Sequence, residues 1–517
     1  MKVGTLFLIL AFLLGNHKTA VGQINAAKHD NVWIFGFGSW GHSFMSFEAD
    51  SLKIIKKKPA VIDLGDPSIM MSDKNGQLLF YTNGVTILNR NNSVMKNGKR
   101  INPGKFIDKN GWTMEGLPVN QSCLGLSFPG NDSIYYIVHQ DLWDTLIDGE
   151  RRNFAPFYYS KINMSEDNGF GEVVQLNNSI NKDSVSAGNL TACRHANGRD
   201  WWIVQKLPYQ QVSNAYLVTE DTILFMHKIA NTPTVKSREP YGQSFYSQNG
   251  TKYFSVSCPV IGQAAFFDIY DFDRCTGTMS NNNRIIFTNN YGNLVIGGAI
   301  SPSGKYLYVT RYNQILQFDL EAADISSSVD TVAVFDGFKS PTTGCPTTFH
   351  LAQLGPDGKI YISCGPCTSE YLTVISSPDK RGKECGVKQH SVNLIAANLF
   401  MIPNIPNYRL GPLKGSPCDT ITVATKELSS ADYGLKIFPN PAAEQIQIDI
   451  TLPNYDPTTK TEVILVDLSG EIVQRYIMPD FAYLATLDIS KLPSGVYGVQ
   501  LRQRDKVMAV EKLVVIR

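Results

Sequence analysis

Seven stretches of this chain share one design, in which a turn built on Gly, Asn or Asp runs directly into an aromatic-rich strand. They begin at Asp30, Asn75, Asn131, Asn197, Asn249, Ser303 and Asp357. With Asp132 standing in for the turn glycine, the turns after the first fall at positions 76, 132, 198, 250, 304 and 358, at intervals of 56, 66, 52, 54 and 54 residues. A period of this size in an all-strand pattern describes a β-propeller, each repeat forming one four-stranded blade. One such sheet cannot bury both faces alone, so neighbours stack and the aromatics fill the space between them. Seven repeats predict seven blades.

The first repeat starts so early that it has no innermost strand of its own. The expected donor is the segment from Asn393 to Leu410, which would close the ring and remove two open sheet edges. The expected domain therefore covers residues 23–420, followed by a polar linker over 421–434 and a second domain over 435–517.

That second domain alternates Ile446, Ile448 and Ile450 with Gln445, Gln447 and Asp449, the period of a half-buried strand. Turns at Asp467 to Gly470 and Pro493 to Gly495 separate further apolar strands. About seven short strands in so few residues predict a small immunoglobulin-like β-sandwich. The ordered series Phe438-Pro439-Asn440-Pro441, Asp467 to Gly470, Gly495 to Tyr497 and Lys512 resembles the C-terminal sorting domain of the type IX secretion system, carried by exported proteins of Bacteroidetes. The resemblance implies passage across the outer membrane, with the secretion machinery and its sortase as partners. It also implies removal of the domain, and attachment to or release from the cell surface.

The N-terminus agrees with export. Met1 and Lys2 lead into an apolar run from Leu6 to Leu14, too short to span a bilayer, which takes about 20 residues. Ala20, Val21 and Gly22 place small residues before a cut that would leave Gln23 as the new N-terminus, so residues 1–22 read as a signal peptide. No later stretch has the length of a transmembrane segment.

Lys and Arg number 47 against 46 Asp and Glu, which leaves no global field to favour nucleic acid. The one basic cluster, Lys53 to Lys58, reads as a charged outer edge strand that discourages sheet-to-sheet aggregation. Trp33 to Gly36, Leu79 to Gly84, Phe272 to Gly277 and Pro403 to Pro412 look like a group of secreted Bacteroidetes propellers with sorting tails. That second resemblance implies a fold and an address, not a reaction.

Motifs for catalysis are sparse. Cys364-Gly365-Pro366-Cys367 has the four residues of a thioredoxin centre. It lies between two strands, however, where no helix N-terminus would lower a thiol pKa. No His-Glu-x-x-His spacing, calcium loop or Gly-x-Ser-x-Gly elbow occurs, so neither a metal nor a cofactor is expected. In an oxidising compartment the nine cysteines suit disulfides. The expected pairing is Cys367–Cys385, with Cys364–Cys367 as its competitor. The remaining candidates are polar and aromatic groups near loops, namely Arg194 and His195 before one turn, and Trp40 and His42 after the first aromatic strand. Such a set suits a sugar or a carboxylate at the mouth of the ring. The expected function is a non-catalytic binding or adhesion module for a glycan or surface protein. The rival is a secreted hydrolase or lyase with its site in the funnel.

Overall fold

The computed structural model describes residues 27–48, 51–57, 61–102, 104–110, 114–147, 150–181, 184–207, 212–220, 222–230, 242–257, 264–288, 294–419, 434–451, 460–467, 471–478, 484–503 and 506–516. The chain divides into two compact units, Met1–Thr420 and Ile421–Arg517.

In the first unit, antiparallel sheets follow one another along the chain. The first has three strands, Val32–Phe35, His42–Phe47 and Leu52–Lys57. The second (Ile69–Ser72, Leu78–Thr82, Thr86–Asn89, Val94–Lys99) and third (Cys123–Ser127, Ile134–Gln140, Phe157–Asn163, Glu172–Ser179) meet at one parallel pairing, Glu172 with Lys96. The fourth comprises Ala192–Arg194, Trp201–Lys206, Val212–Val218 and Ile223–Ala230. The fifth has Ser244–Tyr246, Lys252–Ser257, Ala264–Phe272 and Met279–Thr288. The sixth has Val295–Ile300, Tyr306–Arg311, Gln314–Asp319 and Asp330–Val334, and the seventh Thr348–Leu354, Ile360–Gly365, Ser369–Ile375 and Val387–Asn398.

The repeated aromatic strand is the second strand of each four-stranded sheet, and it is where the core lies. Trp33, Tyr81, Tyr135, Trp201, Phe254, Tyr308 and Tyr361 are all buried. Departures from the period have visible causes. The long 66-residue interval contains an extra hairpin, Trp143–Ile147 with Glu150–Phe154, and the 56-residue interval contains a short helix, Lys105–Asn110. Leu52–Lys57 does lie at the edge of its sheet, as its lysines suggested.

The donor-strand expectation is corrected. Residues 393–398 belong to Val387–Asn398, the outer strand of the seventh sheet, where Asn393 pairs with Tyr371 and Asn398 with Ser369. Residues 399–410 form no strand. Two prolines, Pro403 and Pro406, lack the N–H that a ladder needs. The first sheet thus has three strands among the described residues, and its innermost place is filled by an irregular strap held through side chains.

Among the described residues the second unit has seven strands in two sheets. One is Gly434–Phe438, Gln445–Thr451 and Leu484–Asp488, and the other runs in the order Ile472–Ile477, Thr461–Val466, Gly495–Gln503, Lys506–Val515. Ile446, Ile448 and Ile450 face the core, as their alternation required. The motif residues have structural roles. The Asn440 amide donates to Lys512 O at 2.5 Å and accepts from the Val514 N–H at 2.9 Å, pairing the start of the domain with its last strand. The Tyr497 hydroxyl donates to Pro493 O at 2.8 Å, and the Asp467 carboxylate accepts the Glu471 N–H. Phe438, Pro439, Pro441 and the Lys512 side chain are exposed, and Gly495 lies against the Tyr497 ring. Gly470 and the cleavage pair Gly22 and Gln23 lie outside the described residues.

Candidate functional site: a channel threaded by the chain itself

The strap runs along the first strands of the third, fourth and fifth sheets. Near their starts, the Asn404 amide donates to Cys123 O and Leu190 O, both at 2.8 Å, and accepts from Gln121. Farther along, the Tyr408 hydroxyl donates to Gly125 O at 2.7 Å while its ring packs edge-on against Trp201 and His29. At the turns beyond the strands, Asn407 donates to Gln248 O, Arg409 makes a two-pronged ion pair with Asp30, and Leu413 N–H reaches Ala196 O. Gly198 has φ +72°, and a Cβ there would come within 2.5 Å of Pro412, so the strap needs glycine at that turn.

At the starts of the inner strands, side-chain amides tie the sheets to one another. Gln121 exchanges two hydrogen bonds with the backbone of Ser244, at 2.9 and 2.7 Å, joining the third sheet to the fifth. Gln243 donates to Ala352 O at 2.6 Å and accepts from Gly298 N–H at 3.0 Å, joining the fifth to the sixth and seventh. These amides are buried and hydrogen-bonded, which makes them rigid struts rather than ligand hooks.

Between the strap and the fourth to seventh sheets remains a small, partly open pocket. Thr191, Tyr246, Gln248, Gln353 and Asn407 give it polar and aromatic walls, and no lining side chain is charged or a histidine. Among the described residues, no group of three or more His, Cys, Asp or Glu could hold a metal ion.

The four residues singled out in the sequence do not form one site. Arg194 ends the inner strand of the fourth sheet, and its guanidinium lies 3.8 Å over the Trp201 ring and donates to Ser127 Oγ at 2.8 Å and to Arg199 O. Burial pulls its pKa down to about 10. His195 accepts the Asn197 N–H at Nδ1 (3.0 Å), which leaves Nε2 to donate to Cys275 O at 3.1 Å, and burial lowers its pKa. This is a neutral turn-fixing imidazole. Trp40 lies in a single helical turn, Gly38–Trp40, and is exposed. His42 is not in the loop after the aromatic strand but opens the next one, buried. It bonds Ile62 O at 2.9 Å, and burial drives its pKa down to about 4.

The cysteine pairings are also corrected. Cys367 bonds Cys345, and Cys275 bonds Cys418. Cys364 and Cys385 are buried free thiols, as are Cys123 and Cys193, while Cys258 lies outside the described residues. The Cys364 thiol turns inward to Tyr371 O, and burial pushes its pKa up to about 12, which removes any thioredoxin-like reactivity. Cys345 lies in the loop before the seventh sheet, folded back by the bond from Ser340 N–H to Cys345 O, which sets its Cα 5.8 Å from that of Cys367. Spacing within one hairpin could not reveal a partner from the preceding loop.

What sequence reasoning missed is the turn after Ala264–Phe272. There the Arg274 guanidinium donates to the carbonyls of Arg194 (2.9 Å), His195 (3.2 Å) and Gly411 (2.5 Å). The Arg274 carbonyl accepts from Ala196 N–H and from the Trp202 indole, each at 2.8 Å. The strings Phe272 to Gly277 and Pro403 to Pro412 carried a resemblance in sequence, and here they touch.

Residues 436–516 match the family described as the secretion system C-terminal sorting domain. No curated protein matches the chain. Similar solved structures include a protein from Lactobacillus plantarum (10% identity, covering 72% of this chain and 96% of that one, TM-score 0.37). Another is the periplasmic gluconolactonase of Pseudomonas aeruginosa (12% identity, 73% and 96%, TM-score 0.30). A third is a candidate 6-phosphogluconolactonase from Bacteroides uniformis (10% identity, 94% and 100%, TM-score 0.32). At these scores the likeness carries nothing about activity. The C-terminal segment belongs to the sorting-domain family, and the protein is secreted by the type IX system to the cell surface or beyond.

Proposed function

We propose that this exported protein is a non-catalytic binding module, displayed at or released from the cell surface, whose mature form begins at Gln23. In this reading residues 23–420 form the binding domain, residues 421–434 a linker, and the sortase of the secretion system removes the tail. The observation that carries it is the state of the ring's centre. The chain's own strap occupies much of the channel, buried amides brace the starts of the inner strands, and the remaining cavity has uncharged walls. General acid–base work needs a titratable group within hydrogen-bond reach of the reacting atoms, and the lining offers only Cys193 and Tyr246, whose ionised forms burial disfavours. Amide, hydroxyl and aromatic walls suit an uncharged, hydroxyl- or amide-bearing ligand, such as the end of a glycan or of a surface protein's loop.

The test is a glycan and surface-protein binding array run beside a glycosidase, lyase and peptidase screen on the mature protein. Binding that is lost in Gln353→Leu, with no turnover of any bound ligand, is the expected result. Turnover abolished by a substitution in the cavity would favour the hydrolase or lyase instead.

A further inference from the structure

We infer that the Cys275–Cys418 disulfide is a load-bearing lock, which keeps force or cleavage at the sorting tail from drawing the strap out of the ring. The argument begins with chain order. The strap is the last described stretch of the first unit, Cys418 lies two residues before that unit ends at Thr420, and the sorting domain follows on the same chain. A secretion machinery that engages the tail therefore acts on the covalent continuation of the segment that closes the ring. Without a crosslink, tension would pass from residue 419 through 413 to 403 and peel the hydrogen bonds of Leu413, Gly411, Tyr408 and Asn404 one at a time. Bonds loaded in series in this way yield singly, whereas bonds loaded together share the force.

The disulfide changes the load path. Tension arriving at Cys418 enters Cys275, and that turn is fastened on several sides. Asp273 Oδ1 accepts the Cys275 N–H at 2.7 Å, Cys275 O accepts His195 Nε2, and Arg274 donates to the carbonyls of Arg194, His195, Asn249 and Gly411. Gly277 lies so close to Trp202 that a Cβ there would come within 2.6 Å of the indole, so the turn is also packed down on the fourth sheet. The force is then delivered to the strands Ala264–Phe272 and Met279–Thr288, which pair along most of their length. Residues 399–417 carry none of it. The same arrangement leaves the ring closed after the tail has been removed, because the new C-terminus lies beyond the crosslink.

Single-molecule pulling of the full chain, through peptide tags at the two ends of its mature form, tests this. With the disulfide intact, the extension trace should show unfolding of the sorting domain and then of the ring, with no separate release of the strap. In Cys418→Ser, an added low-force step should precede ring unfolding. It would release about 20 residues, on the order of 70 Å of chain at ~3.5 Å per residue. The same step should appear when the folded Cys345→Ser/Cys367→Ser variant is reduced with a phosphine, which opens the remaining described bridge without refolding the protein. The strap step in the oxidised wild type, or identical traces in all three proteins, would overturn the lock.

Discussion

In the sixth sheet the inner strand Val295–Ile300 pairs with Tyr306–Arg311 at five registered positions, and the sheet is complete from centre to rim. In the first sheet that inner place has no strand. There Met401 and Ile402 pack beside Trp33 and Phe35, Phe37 N–H reaches Ala397 O at 2.9 Å, and Arg409 holds Asp30. The sixth sheet spreads its stability over a repeated backbone ladder, so that no one side chain is indispensable. Closure at the first sheet concentrates it in a few side chains that each satisfy several buried backbone groups. The cost of removing such a side chain is the cost of every group it leaves unpaired.

Deleting residues 399–419 should break the comparison most severely. It exposes the inner edge of Val32–Phe35 and unpairs the channel carbonyls, so we expect aggregation or loss of a single cooperative melting transition, read by calorimetry and light scattering. Deleting the hairpin 143–154, which lies outside the regular sheets, should leave cooperativity intact.

Acid should act on the closure next. Burial holds His42 and His350 at about 4 and His139 at about 3, below the unfolded value of 6.5. The unfolded chain therefore binds more protons as pH falls from 6.5 towards 4, so their contribution is full above 6.5 and is lost through that window. Each costs of order 1 kcal/mol per pH unit. His29 and His195, also lowered by burial, act in the same sense, while Asp66, raised to about 6 by burial, and Asp63, raised likewise, oppose them. His350 lies against Phe400 of the strap, so His350→Gln should flatten the acid limb of a pH–denaturant series.

Among single substitutions, Trp33→Ala removes a fully buried indole at the closing sheet and should cost about 3–5 kcal/mol. Asn404→Ala leaves Cys123 O, Leu190 O and the Gln121 amide without this partner and should cost about 3 kcal/mol, against about 1 kcal/mol for Tyr408→Phe. Lys53→Ala, on an exposed edge strand with a 3.8 Å surface ion pair, should stay within about 0.5 kcal/mol. Urea titrations would measure all four.

How much of this was legible followed from what repeats. The aromatic strands carry a period, and the alternation of Ile446, Ile448 and Ile450 fixes a buried face, so both the ring and the sorting sandwich could be read from residue order. Closure could not. Asn404, Tyr408 and Arg274 act through long-range contacts to carbonyls, which any residue supplies and no spacing announces. His195 and Arg194 looked like a ligand pair because polar groups near a turn suit both roles. Only the geometry, with Nε2 committed to Cys275 O and the guanidinium laid on Trp201, assigns them to the frame. Cys345 was missed for the same reason, since its partner lies across a loop rather than within a hairpin.

The central claim is that the strap is the ring's closure and not an ornament in its channel. Hydrogen–deuterium exchange on the full chain tests it by comparing the hydrogen-bonded amides of Leu410 and Leu413 with those of Tyr306–Arg311. If the strap opens only when the ring opens, both sets exchange with the same protection and the same denaturant dependence. Strap amides that exchange orders of magnitude faster, while the sixth sheet stays fully protected, would contradict the account.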